Sequence, residues 1–322
     1  MTKELIFSLN TVLPLIILIG IGYIIRISGI LNDVFFTGAE KFVFKVALPC
    51  SLFMSVYGAT SGETFSKSLI IFCVTAIAAV FILPCLIVPL FIKENPVRGA
   101  FIQGTYRSNF AIFGLPLADR LFPETGKAAA SSVMPFAIPM FNIFAVVILS
   151  VFAPVEKKQS VFRTLRKCLF GIVTNPLIIG IVLALPFMIF SVSLPEPLTA
   201  TVSYIGDIAT PLALICLGAT LNLKIGKNKI LLALLASVIK VAVIPTAVLA
   251  VAVALGYRSV DLGIILILFG SPTAVSSYIM AKNMGSDSDL AAQILVMSTV
   301  LCSLTLFIAI FLLAHFSYIS VY

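Results

Sequence analysis

Charge is scarce in this chain. Of 322 residues only 11% are charged, with 13 acidic side chains against 21 Lys and Arg. A soluble domain carries roughly a quarter charged residues, so the shortage argues against one. His315 is the lone histidine, which leaves no H-E-x-x-H zinc site, and no G-x-S-x-G occurs to supply a nucleophile elbow. The single Y-I-G-D, at 204–207, has no second buried aspartate to pair with. An intramembrane enzyme is therefore a weak reading. The six cysteines (50, 73, 85, 168, 216 and 302) form no C-x-x-C pair and lie in apolar stretches, as small core residues do. At the start, MTKELIFSLNTVLPLIILIGIGYIIR lacks an A-x-A cleavage site, and its apolar run is too long for a signal-peptide core. It predicts a first spanning helix.

What fills the chain is hydrocarbon. Hydrophobic residues make up 61% of it and mean hydropathy is +1.18, the signature of an integral membrane protein. The net charge of +8 implies no nucleic-acid partner, because helical membrane proteins collect Lys and Arg in cytoplasmic loops. A window of about 20 residues predicts ten spans, near 5–27, 34–57, 67–92, 97–118, 127–153, 167–190, 197–222, 229–255, 260–282 and 288–314. The longest connection, 154–166, falls at the midpoint.

That midpoint break suggests duplication. At an offset of 162, PLII at Pro14–Ile17 meets PLII at Pro176–Ile179, Pro49 meets Pro211, and Ala129-Ala130 meets Ala291-Ala292. Asn109 meets Ser271, the residue before Pro272. One register held across five spans predicts two five-helix halves, 1–153 and 167–322, joined by a linker at 154–166. Five crossings are odd, so the second half enters from the opposite face and the repeats are inverted, a common plan of secondary transporters. Assigning loops to alternate sides puts five Lys and Arg on one and twelve on the other. The second side is then cytoplasmic and both termini are outside a cell membrane.

Some charges belong to no loop. Lys45, Arg107, Asp207 and Lys240 fall near mid-span, where a charge costs roughly 2.5–3.5 kcal/mol. They are expected to face a wet cavity or one another. Lys45 and Asp207 are equivalent in the repeat register, each four residues before a matched proline. Two readings stand for them: a structural salt bridge between halves, or a gated pair. In the fourth span GTYRSNFAIFGLP (104–116), and at equivalent depth in the ninth SPTAVSS (271–277), hold small, polar and helix-breaking residues. A simple span would place Leu and Val there. Interrupted helices at mid-membrane expose free N–H groups and positive dipole ends that favour anions, and such backbone survives only where it lines a cavity or is buried in protein. The competing reading is a kinked helix with no ligand.

RSNFAIFGLP (107–116) resembles the asparagine-to-G-[LI]-P element of the auxin efflux carrier family, and SPTAVSSYIMAK (271–282) resembles its second crossover element. ALP at Ala47–Pro49 and TNP at Thr174–Pro176 resemble two further elements. The resemblance covers the whole chain. It implies an all-α membrane fold of two inverted five-helix repeats, divided into scaffold and transport parts, with helices four and nine broken and crossing at Pro116 and Pro272. It also implies carboxylate-binding roles for Asn109 and Asn175, pocket-wall roles for Leu48 and for Thr273–Val275, and a homodimer. Lys45 departs from the apolar residue of the plant exporters, which points away from auxin toward a smaller or more highly charged anion.

The expectation is a secondary transporter of small organic anions, auxin-like or dicarboxylate, working by an elevator form of alternating access. Arg107, Asn109, Asn175, Ser271, Thr273 and Leu48 would form the substrate site, with Lys45 and Asp207 gating or coupling. No cofactor is expected; coupling to H⁺ or Na⁺ stays open. A Na⁺-coupled symporter of the bile-acid-carrier type, an anion sensor and an ion channel are the alternatives. The sensor would need a partner domain, since the chain offers no soluble one.

Overall fold

Apolar periodicity and capping residues together set where the helices begin. The computed structural model describes residues 2–58, 66–123, 125–153, 170, 173–190, 192–220 and 226–319, with side chains from Leu13 onward. Regular structure among these is entirely helical. In chain order the helices are α1 (Thr2–Ile27), α2 (33–57), α3 (Lys67–Phe91), α4 (Asn95–Tyr106), α5 (110–121), α6 (Gly126–Val151), α7 (Pro176–Ile189), α8 (Glu196–Thr220), α9 (Lys227–Ala254), α10 (Ser259–Gly270), α11 (Ser276–Asn283) and α12 (Ser288–His315). Asn32, Ser66, Asn175 and Asp287 cap α2, α3, α7 and α12, each side-chain oxygen accepting a first-turn N–H, which satisfies donors the helix cannot. The linker expected at 154–166 lies outside the described residues, as does Cys168.

Helices α3, α6, α8, α9 and α12 are long and apolar enough to cross a bilayer. Leu13–Ile27, α7 and α10 are shorter apolar helices. Their outward faces are hydrocarbon: Leu90 and Phe91 of α3 are 77% and 78% exposed, which in water would be a liability and in lipid is solvation. The chain is a multi-pass membrane protein.

Three prolines leave a common mark. Five-residue π turns at Val43–Ala47, Phe110–Gly114 and Ile239–Val243 each end two residues before a proline, namely Pro49, Pro116 and Pro245. Proline donates no N–H and crowds the carbonyl four residues back, and a widened turn absorbs the misfit without ending the helix. Pro116 therefore sits inside α5. It does not mark the interruption, which lies upstream at 107–109. Pro272 does mark one: it forces Ser271 to extended backbone, φ −59° and ψ 147°, as proline does to the residue before it.

Packing pairs the helices in a recurrent way. α1 packs on the second half of α8, and α7 packs on the second half of α2. Likewise α3 packs on α4 and α6, while α9 packs on α10 and α12. The α1–α8 contact is close because glycine stands on both sides. A Cβ at Gly22 would lie 2.0 Å from the Ile215 carbonyl oxygen, and one at Gly218 would lie 1.9 Å from that of Ile19. Backbone, not a movable side chain, is the obstacle. Gly218→Ala should therefore lower stability by about 1–3 kcal/mol, the usual cost of overpacking, read as a fall in the melting temperature of the detergent-solubilised protein.

Candidate functional site

The two interruptions meet. Arg107 leaves α4 in extended conformation, φ −71° and ψ 140°, and Asn109 follows at φ −87° and ψ 44°. The Asn109 N–H donates to the Pro272 carbonyl at 2.8 Å. Side chains complete the exchange: Ser108 Oγ donates to the Leu268 carbonyl of α10 at 2.6 Å, and Thr273 Oγ1 donates to the Gly104 carbonyl of α4 at 2.6 Å. Each break thus satisfies carbonyls that the opposite helix frees at its C-terminal end. In a hydrocarbon setting those carbonyls have no water to turn to.

Beside this crossing lies a cavity of about 100 Å³, lined by Leu48, Ser51, Leu52 and Ser55 of α2, 107–109 of the first break, Ile138, Phe141 and Asn142 of α6, Ala209 and Thr210 of α8, and 274–276 of the second break. A water occupies roughly 30 Å³ in the liquid, so the space suits a few waters or a small polar ligand. A larger recess of about 610 Å³ between α3 and α9 holds no charged group, and Thr75 and Thr105 are its only polar lining. It opens on the hydrocarbon-facing surface and is unsuited to an ion.

Arg107 dominates the cavity. It is 1% exposed. Its Nη2 donates to Asn142 Oδ1 at 2.5 Å and Ser276 Oγ at 2.7 Å, and Nη1 donates to the Met280 sulfur at 2.7 Å. All three partners are neutral, and a thioether is a weak acceptor. Among the described residues no carboxylate pairs with the guanidinium, and its Nε–H has no partner. Asn109, 5% exposed, likewise has an unpartnered Nδ2. Buried polar groups are nearly always satisfied, and a buried charge without a counter-charge is costly. Two orphaned donors, one of them cationic, border one cavity. α11 begins there too and directs its positive end toward it. The arrangement suits a small anion.

The other residues expected at the site lie elsewhere, apart from Leu48, Ala274 and Val275, which line the cavity. Asn175 caps α7, its Oδ1 accepting from Leu177 N at 3.0 Å while Nδ2 reaches the Met284 sulfur at 3.8 Å. Ser271 and Thr273 shape the crossing and do not line the cavity: Ser271 Oγ donates to the Ile267 carbonyl, and Thr273 N–H to Ser298 Oγ. Lys45 and Asp207 are both exposed and no ion pair joins them, for Asp207 accepts instead from Ser203 at 3.4 Å. Lys45 stands in the π turn of α2 and Asp207 at the turn before Ile208, so both local helix distortions leave the charges on the surface. Lys240 is fully buried, and its Nζ donates to the Phe269 carbonyl at 2.6 Å, a cation set at the negative end of α10. Asn142, Ser276 and Met280, which hold the guanidinium, were not expected. Asn142 left a trace in the sequence, as a lone amide amid FNIF in a span otherwise free of need for one.

These positions yield two expectations. Asn175→Ala should cost about 1 kcal/mol of stability, the loss of an N-cap, with ligand binding retained. A double-mutant cycle of Lys45→Ala and Asp207→Ala should give a coupling near zero, within about 0.5 kcal/mol, in thermal unfolding.

Known proteins bear on the same residues. A family model described as "membrane transport protein" matches residues 7–310. An uncharacterized transporter of Methanothermobacter thermautotrophicus is 24% identical over 309 residues, covering 93% of this chain and 96% of that one. One from Methanocaldococcus jannaschii is 22% identical over 306 residues, covering 90% and 94%. With a membrane-embedded helical fold and a match over nearly its whole length, the chain belongs to the membrane transport protein family, that of the auxin efflux carrier-like transporters.

Proposed function

We propose that this transporter moves small organic anions across a cell membrane by alternating access, and that Arg107 and Asn109 hold the carboxylate. The observation carrying this reading is the pair of buried, unpartnered donors on one cavity. Cavity size supports a compact substrate: ligand sites for drug-sized molecules measure roughly 300–1,000 Å³, several times the space here, so a short mono- or dicarboxylate fits better than a ring-bearing acid such as auxin.

The reading includes ten spans as two inverted repeats, 1–153 and 167–322. The recurrent packing supports it, because α1 on α8 and α7 on α2 are exchanged by the same swap of halves that exchanges α3 on α6 with α9 on α12. On this view α1, α2, α7 and α8 form a scaffold, and α3–α6 with α9–α12 form the part that carries the crossing and moves as an elevator. Both termini are outside and the Arg26 end is cytoplasmic, following the excess of Lys and Arg; a homodimer is the working assembly. Moving one charge through 100 mV involves about 2.3 kcal/mol. Export of a monoanion from a negative interior runs downhill, while uptake of a dianion needs co-transported H⁺ or Na⁺.

Uptake of labelled malate, malonate, succinate and indole-3-acetate into proteoliposomes, with pH, Na⁺ and voltage varied separately, tests the proposal. Saturable uptake of at least one small carboxylate, lost in Asn109→Ala, is the expected result. Normal uptake by that variant would remove Asn109 from the site.

A further inference from the structure

Glu40 is a buried carboxylate that the anion site does not use. It lies on α2, 3% exposed, and accepts a hydrogen bond from the Tyr278 hydroxyl of α11 at 2.5 Å. Tyr278 is itself 2% exposed, and its hydroxyl also meets Thr220 Oγ1 at the end of α8. Among the described residues no cation pairs with Glu40. Lys41 and Lys282 are exposed, and Arg26 is engaged by the Ala219 carbonyl and Asp33. The Cys216 thiol, the other titratable group of α8 on this side, lies against the Phe36 carbonyl one turn before Glu40. A carboxylate buried without a counter-charge stabilises a fold less than an apolar residue of similar volume, so packing alone does not account for it.

Its place in the fold does. Residues two apart on a helix point to nearly opposite sides, at about 100° per residue, and α11 is gripped on both sides. Ser276 faces Arg107 and the cavity, whereas Tyr278 faces Glu40 and Thr220. The cavity lining on α2 begins at Leu48 and runs to Ser55, away from Glu40, and on α5 it reaches Ile112, which is 38% exposed. The Glu40 end, where α1 ends, α2 begins, α8 ends and α11 ends, lies away from this lining.

We propose that Glu40, Tyr278 and Thr220 form a clasp that holds α11 against α2 and α8, shuts the anion pocket at the Arg26–Lys41–Lys282 end, and releases when the pocket opens there. Glu40 and Tyr278 are positioning residues: they fix the short helix that presents Ser276 to the guanidinium. The proposal rests on the transport reading above, but its test needs no knowledge of the substrate.

The test uses the full-length protein with its six cysteines replaced and Ser51→Cys as a reporter in the pocket wall, reconstituted in one orientation. A membrane-impermeant maleimide is applied from each side. With the clasp intact, the reporter should react faster from the side opposite Arg26. Tyr278→Phe, which removes one hydroxyl and keeps the ring, should raise the rate from the Arg26 side by about tenfold, the population shift expected from losing one hydrogen bond to a charged group. Glu40→Gln should act in the same direction and Glu40→Asp less. If the rate from the Arg26 side stays unchanged in a well-folded Tyr278→Phe protein, the clasp is not a gate. Labelling that shifts while no carboxylate is transported by the wild type would sink the transport reading and leave the gate standing. Transport without a labelling shift would do the reverse.

Discussion

Arg107→Met should weaken anion binding severely and raise thermal stability in the same protein. The two effects have one cause. The guanidinium is 1% exposed and surrounded by an amide, a hydroxyl and a thioether, so the empty protein bears the desolvation of a cation with no anion beside it. Methionine at this position removes that burden. Asn142 Oδ1 and Ser276 Oγ lose a donor, but both residues line the cavity, where water can replace it. Asn142 keeps its own anchor through Nδ2 to the Ile138 carbonyl at 2.8 Å. The bound state loses what it needs most. Truncating one partner of a buried, hydrogen-bonded charge pair typically costs about 2–5 kcal/mol, a loss of roughly 30-fold to several thousand-fold in affinity. Arg107→Lys should rescue little, because an ammonium on a flexible stem cannot serve Asn142, Ser276 and a carboxylate through one planar fork. Isothermal titration or scintillation proximity with labelled malonate reads the affinity, and a melting curve in detergent reads the stability. A residue that lowers stability while supporting function is the usual trade at a working site. Should Arg107→Met instead unfold the protein, the guanidinium is structural.

Much of this was legible in the sequence, and the reasons are physical. Membrane character needed only composition, since a bilayer tolerates few charges. The breaks in α4/α5 and α10/α11 were visible as polar and small residues where lipid would select Leu, and Arg107 stood out because no loop claimed it. The failures have a pattern too. Pro116 looked like the point of interruption, yet a π turn absorbs a proline, and nothing in a one-dimensional string separates a widened turn from a broken one. Lys45 and Asp207 share a repeat register, but register fixes depth and not direction, and both side chains turn outward. Asn175 was expected at the ligand from the resemblance of TNP at 174–176 to a family element; the same amide serves here as a helix cap, and a short motif does not separate the two uses. Partners contributed across the fold, such as Ser276 and Asn142 to Arg107, depend on which helices touch, which periodicity does not reveal.

The crossing should fail cooperatively when its reciprocal caps are removed. Ser108→Ala strands the Leu268 carbonyl and Thr273→Val strands that of Gly104, since each loses the hydroxyl that now donates to it at 2.6 Å. A buried group left without its partner costs about 1–3 kcal/mol, so the double variant should lose on the order of 2–6 kcal/mol if the sites are independent. They are not independent. The Asn109 N–H bond to the Pro272 carbonyl ties both breaks together, and residues sharing one network commonly couple by about 0.5–3 kcal/mol. A full cycle of the two single variants and the double one, followed by thermal unfolding in detergent, should show a coupling energy above about 0.5 kcal/mol. Binding should fall in parallel, because Arg107 and Asn109 bracket Ser108 and lose their fixed spacing when it slips. Strict additivity, with anion affinity unchanged, would mean that the two breaks are separate kinks and that the cavity does not depend on their meeting. The Thr273→Ser variant sharpens the test: it keeps the hydroxyl, should keep the cap, and should stay close to wild type in both measurements.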